Sequence, residues 1–573
     1  MTRSHEGVKR VVGALVAFLM VGGLAACSPS QPDAQRPSEP EVTEPPLPTE
    51  TVSFSSDVEA SAGLLKSAEV AVIASETPLA QMRAAALGSA LAVPVLTQLG
   101  GASVESELSR LGVQTVLAVG DVTLPGGVQV MVDDGTTQAA TTILGREVQP
   151  VAELGVADIL GFDRAMPLVP EFLQEEPAED SEGAPAEGEL AEGQPGEGDP
   201  AEGENPAGEA ETGEAEQVVE PELIDLAQLP VGKVNSPNPN AVAFATAGSP
   251  LGLVANAKTA GLPVVTLPVA DLRATSEGMQ MARDGRVAVG LGSAFGTPGE
   301  FRDLVALADA EELPGGGGLV FPDRRMIALY GHPYGGALGV LGEQDPTSAA
   351  ELAVQYAAEY QEFSAEPVLP AFEIIATVAS AGPGDDGLYS DVTPVEDLVA
   401  SVDAITEVGG YAIIDLQPGR ASLLDQAKIY EELLKRPNVG LALDPEWKLY
   451  GDEVHLEQVG HIEVAEANEV SQWLAGLVRA NNLPQKVFML HQFQWQMIRD
   501  REQLVTRPEL ATIIHVDGHG TPGAKYETWN VIRDELPAGV WLAWKNFIDE
   551  DEPMLNPQQT MEVEPSPWIV SFQ

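Results

Sequence analysis

"VGLALDPEW" occupies Val439–Trp447. An unbroken apolar run turns, within four residues, into Asp444, Pro445, Glu446 and Trp447. The run is too short for a helix. It has no polar residue at either alternate set of positions, so it reads as a strand covered on both faces, as in a parallel sheet. The same pattern recurs through residues 323–573 in "RMIALYG" (325–331), "AFEIIATV" (371–378), "YAIIDLQP" (411–418), "KVFMLHQF" (486–493), "LATIIHVDG" (510–518), "VWLAWKNF" (540–547) and "PWIVSFQ" (567–573). Helical stretches such as "SAAELAVQYAAEYQEF" (348–363) and "VEDLVASVDAITEVG" (395–409) fall between them. Repeated β-then-α units of this size predict a (β/α)8 barrel; an open doubly wound sheet is the alternative for the same alternation.

Polar residues gather where these strands end. They are His332, Asp415, Gln417, Asp444, Glu446, His491, Gln492, His515, Asp517, His519, Trp544, Lys545 and Gln573, with Glu373 early in the second strand. The carboxyl ends of barrel strands form one face, where active sites sit. All seven Trp lie from Trp447 onward, and every His but His5 follows Arg325. Chemistry is therefore expected in this half, with the Ala-, Val-, Leu- and Gly-rich half before it as scaffold.

On the strand of "GLALDPEW", Gly440, Ala442, Asp444 and Glu446 share a face. Two carboxylates held close separate their pKa values, giving one proton donor and one anion. Glycoside hydrolysis requires such a pair. The arrangement resembles the Asp-x-Glu strand ends of barrel glycosidases. On this basis Glu446 is the general acid/base, Asp444 remains ionised beneath it, and Asp415 and Asp517 are candidates for the second catalytic carboxylate. His332, His491, Gln492, His515, His519, Trp447, Trp544 and Lys545 line the sugar subsites. This assignment uses no cofactor and no metal. A rival assignment gives His515, Asp517 and His519, with His491, to a metal ion, making the barrel a metal-dependent hydrolase. Another leaves the barrel a non-catalytic glycan-binding scaffold. There is no Gly-x-Ser-x-Gly elbow, and "GHPYGGALG" (331–339) lacks the Lys-Ser/Thr of a phosphate loop.

At the other end, a basic start and the apolar run Val11–Leu24 precede Leu24-Ala25-Ala26-Cys27, and Cys27 is the sole cysteine. The order resembles the lipobox of bacterial lipoproteins. It implies a signal peptide over 1–26, lipidation at Cys27 and a chain held on the outer face of the cell membrane. Residues 27–51 read as a Pro- and Glu-rich tether. The net charge of −57 excludes a nucleic-acid partner, whose phosphates need Lys and Arg. Residues 171–222 carry no Lys or Arg and almost no large apolar side chain, so they read as a disordered acidic insert. It separates two α/β modules, 52–170 and 223–322, each predicted to be a three-layer parallel sheet. Pro94-Val95-Leu96-Thr97, Leu111-Gly112 and Val119-Gly120 resemble bacterial cell wall-binding repeat 2 modules, with Asp121 where those carry a final Gly. That resemblance implies a wall or envelope polysaccharide as partner.

Overall fold

The computed structural model describes residues 48–98, 103–123, 125–161, 166–172, 221–232 and 239–573. The expected signal peptide, Cys27, almost all of the expected tether and nearly all of the acidic stretch 171–222 lie outside these residues. Among the described residues, no helix is long and apolar enough to cross a membrane.

The chain is mixed α/β, and its C-terminal half is a closed barrel of eight parallel strands. They are β1 (Arg325–Gly331), β2 (Val368–Ala379), β3 (Tyr411–Leu416), β4 (Val439–Leu443), β5 (Lys486–His491), β6 (Leu510–Val516), β7 (Trp541–Asn546) and β8 (Ile569–Phe572). Each pairs with the next in sequence, and β1 pairs with both β2 and β8, which closes the ring. Each strand predicted from the sequence forms, and the open-sheet alternative is excluded. The helices between strands start on strong signals. Asp345 accepts from the Thr347 and Ser348 amides ahead of Pro346–Gln361, and Thr521 caps Pro522–Ile532, each with proline in the first turn. Among the described residues, 3₁₀ turns at Trp495–Met497 and Arg501–Gln503 stand between β5 and β6 in place of an α-helix.

Alternation along each strand divides the barrel into two cores. Outward residues, among them Leu329, Phe372, Ile414, Leu441, Phe488 and Ile514, pack against the helices. Inward residues at the amino-terminal end are apolar, with alanines (Ala328, Ala371, Ala442, Ala511 and Ala543) interleaved among larger side chains such as Met326, Tyr411, Met489 and Ile513. At Gly440 a Cβ would come within 2.7 Å of Val487, so the interior there has room for no side chain. Leu313, Val320 and Phe321, from the segment entering the barrel, close this end. The Phe321 ring lies 5.3 Å from both Trp541 and Trp568.

Ahead of the barrel, among the described residues, stand a parallel pair of strands, 149–151 with 168–170, and two larger all-parallel sheets. One has the order 95–97, 70–74, 115–119, 129–133, 222–223; the other has the order 52–54, 287–291, 241–246, 264–267. Strand Val52–Phe54 thus joins the second sheet, and Glu222–Leu223 joins the first. One apolar cluster runs through both modules.

Candidate active site

The inward positions at the carboxyl end of the barrel are polar. Tyr330 of β1, Glu373 of β2, Asp415 of β3, Asp444 just past β4, His491 of β5, His515 of β6, Lys545 of β7 and Ser571 of β8 follow the same alternation as the apolar layers below them. Above them a cavity of about 430 Å³ opens at the mouth. Asp444, Glu446, Trp447, Asp517, His519 and Lys545 are in its wall, with Tyr330, Gln417, Phe493 and Phe547. Its volume lies within the range of small-molecule sites.

Glu446 sits in the 3₁₀ turn Pro445–Trp447, where Asp444 Oδ1 accepts its backbone N–H at 3.2 Å. Burial and the nearby Asp517 carboxylate raise the Glu446 pKa to about 7, against the opposing pull of Lys545. Asp517 goes the other way. Burial works against its charge, but the hydrogen bond to His491 Nδ1 (2.9 Å) and the charges of His491 and Lys545 hold its carboxyl below the usual range. One cavity wall therefore offers a proton-bearing carboxyl and a permanent anion. Asp444 departs from expectation. It is buried, and its desolvation and the neighbouring Asp415, Glu446 and Asp517 push its pKa well above the ordinary value despite His491. That direction favours its protonated form, against the expectation that it stays ionised.

Beneath the cavity is a fully buried hub. His491 Nε2 is 2.7 Å from Glu373 Oε1 and 3.8 Å from Asp415 Oδ1. His515 pairs with His491 in register, its Nε2 2.9 Å from Ser571 Oγ and its Nδ1 3.5 Å from Glu373 Oε1. The Tyr330 hydroxyl donates to Asp415 Oδ2 at 3.2 Å, and Lys545 Nζ stands 3.6 Å from the centre of the Tyr330 ring. Burial lowers the His491 pKa, but the Glu373 and Asp444 carboxylates and the hydrogen bonds to Asp517 and Glu373 outweigh it and set the net value well above ordinary. Burial raises Asp415 to about 6.

The structure puts Asp444, Glu446, Trp447, Asp517, His519 and Lys545 in the cavity wall. Asp415, His491 and His515, expected as catalytic or sugar-lining groups, are instead fully buried in the hub because they occupy the inward layer below the mouth, and three more lie elsewhere. Trp544 faces outward, its ring 5.4 Å from Trp529, because Lys545 takes the inward position. Gln492 is buried, accepting from Arg501 Nη1 at 2.7 Å and donating to the Gln494 and Trp495 carbonyls. His332 turns aside to Thr393 Oγ1 at 3.1 Å and to the Tyr334 amide. None of the three is in the cavity wall. The rival metal trio is divided as well. His515 and Asp517 point to different partners, and His519 is exposed against Phe547. Glu373 and Tyr330 belong to the hub without having been assigned to the site. A lone Glu inside "AFEIIATV", and a Tyr sharing its alternate set with Met326 and Ala328, are the signals that mark them.

Comparison of the chain with family models, curated proteins and solved structures gave no match.

Proposed function

We propose that the protein is a lipid-anchored envelope protein whose barrel binds and hydrolyses a cell-envelope or extracellular glycan. The observation that supports this best is the pairing of Glu446, poised near neutrality, with the anionic Asp517 in one cavity wall beside the Trp447 indole. Glu446 gives its proton to the departing glycosidic oxygen. Asp517 serves the sugar carbon as nucleophile or, through a water, as base. Trp447 offers a flat apolar face for a sugar ring, and Lys545 keeps Asp517 ionised. The α/β modules stand the barrel off the membrane, and Cys27 carries the lipid.

Glu446→Gln, assayed on envelope polysaccharide, should lose about 10²–10⁴-fold in rate while keeping glycan affinity. The acid form of Glu446 is present below about pH 7, so kcat/KM should fall as pH rises through that value. It should stay level towards acid until Asp517 protonates, below the ordinary Asp range. A wild type that binds a glycan without cleaving it would make the barrel a binding module. Fatty-acid labelling that survives Cys27→Ala would remove the anchor.

A further inference from the structure

We infer that the hub beneath the cavity is a binding site for one first-row divalent cation, held by Glu373, His491 and His515 with Asp415 as fourth ligand. The ligand atoms of Glu373, His491 and His515 all lie within 4.8 Å of one another, and all three residues are buried. The spacings are 2.7 Å from Glu373 Oε1 to His491 Nε2, 3.5 Å from Glu373 Oε1 to His515 Nδ1, and 3.8 Å from His491 Nε2 to Asp415 Oδ1. Ligands bonded tetrahedrally at about 2.0–2.1 Å stand about 3.3 Å apart, so the Glu373–His491 contact has to open, and Asp415, which lies outside the mutually close trio, has to swing in as the fourth ligand.

The outer partners are those of a metal site. A ligating imidazole is normally oriented by a hydrogen bond at its other nitrogen, often to a carboxylate. His491 Nδ1 bonds Asp517 Oδ2, and His515 Nε2 bonds Ser571 Oγ, each at 2.9 Å. Both rings thus turn their remaining nitrogen toward Glu373. Tyr330 orients Asp415 in the same way, through Oδ2, leaving Oδ1 for the centre.

The competing account is a protonated His491 bridging Glu373 and Asp517. It satisfies both nitrogens of His491. It leaves Asp415 Oδ1, 3.8 Å from His491 Nε2, and His515 Nδ1, 3.5 Å from Glu373 Oε1, buried with no hydrogen-bond partner, along with Glu373 Oε2 and Asp517 Oδ1. Each such orphan is costly in a dry interior. One cation in place of the shared proton takes up Asp415 Oδ1 and His515 Nδ1 and offsets the negative charge that Glu373, Asp415 and Asp517 concentrate around His491. Two imidazole nitrogens with carboxylate oxygens suit Zn²⁺; Ca²⁺ and Mg²⁺ favour all-oxygen shells.

The site shares Asp517 with the glycan assignment, through its hydrogen bond to His491, but none of its ligands lies in the cavity wall, and its test reads metal rather than turnover. The purified chain, stripped with a chelator and dialysed against Zn²⁺, should retain a tightly held equivalent measured by elemental analysis. Co²⁺ in its place should give the visible d–d bands of a four-coordinate N,O site. Glu373→Gln and His515→Ala should abolish both signals. Should either fail to fold, Ser571→Ala removes only the hydrogen bond behind His515, and it should weaken Zn²⁺ binding about 10–100-fold with an unchanged circular dichroism spectrum. Glu446→Gln should bind Zn²⁺ as the wild type does. No Zn²⁺ uptake by the wild type overturns the site, as does uptake untouched by the folded hub variants. Zn²⁺ uptake without glycan turnover would count against the mouth assignment alone.

Discussion

Glu446 has a folded-state pKa of about 7, above its ordinary 4.5, so folding takes up a proton between these values. Below about pH 4.5 the group is neutral in both states. Above about 7 the folded chain must hold a desolvated anion, and the stability attached to its raised pKa is lost. Glu446→Gln keeps the shape and removes that charge. With partial exposure discounting the full shift, the variant should gain about 1–3 kcal/mol at pH 8 and almost nothing at pH 4. In thermal melts this is roughly 2–4 °C per kcal/mol. An equal change at both pH values would show that charge is not the cause. Activity and stability would then be opposed at one residue, as is common in active sites. Asp444 shows what sequence cannot supply at this scale. Its place at the end of β4 follows from "GLALDPEW". Its protonation state depends on Asp415 and Asp517, which β3 and β6 bring to it from elsewhere in the chain.

Among elements, strand existence was legible because buried parallel strands are continuous apolar runs flanked by turn residues. Which side chains face inward was not legible from strand ends alone. "WLAWKN" places an indole and an ammonium next to each other, and only the alternation shared with Ala543 settles that Lys545 points in and Trp544 out. The strand at Val52–Phe54 was missed for a related reason, since its partner is Val287–Leu291, far along the chain. A helix can seal an edge in the same non-local way. Asn256, on helix Leu251–Thr259, accepts from Val95 N at 2.8 Å and donates to Val95 O at 2.9 Å and Asp57 O at 3.0 Å. Its side chain thus caps the edge strand of the first sheet from the second module. Asn256→Leu would bury those backbone groups unpaired, and each orphan costs about 1–3 kcal/mol. The urea midpoint should fall, with a slope near the wild type's. An unchanged midpoint would show that the edge finds water or another partner.

At the scale of the whole molecule, the described residues form one compact unit, and the contacts that join its parts are specific. Gln485, just before β5, accepts from Val320 N and gives its own amide to Gly318 O, both at 2.9 Å. Arg273 donates to Pro508 O at 2.7 Å, tying the second module to the lower rim of the barrel. Phe321 is the centre of this junction. It is 2 % exposed and stacks with Trp541 and Trp568, while Leu313 and Val320 join it in the inner core. The barrel therefore depends on a segment that precedes its first strand. A chain beginning at Asp323 would leave the lower core open, exposing Trp541 and Trp568 together with the alanine-lined interior. A chain beginning at Leu313 keeps the plug. Removing a buried Phe side chain alone costs about 3–5 kcal/mol, and here Leu313 and Val320 go with it. The chain from Asp323 should melt well below the chain from Leu313, or collect as aggregate, and Phe321→Ala in the full protein should account for much of the difference. Tryptophan fluorescence reports the same event, because two of the seven indoles lose their cover and their emission shifts to the red. Equal melting temperatures for the two chains would mean that the lower core closes without its plug, and that the junction only positions the α/β modules.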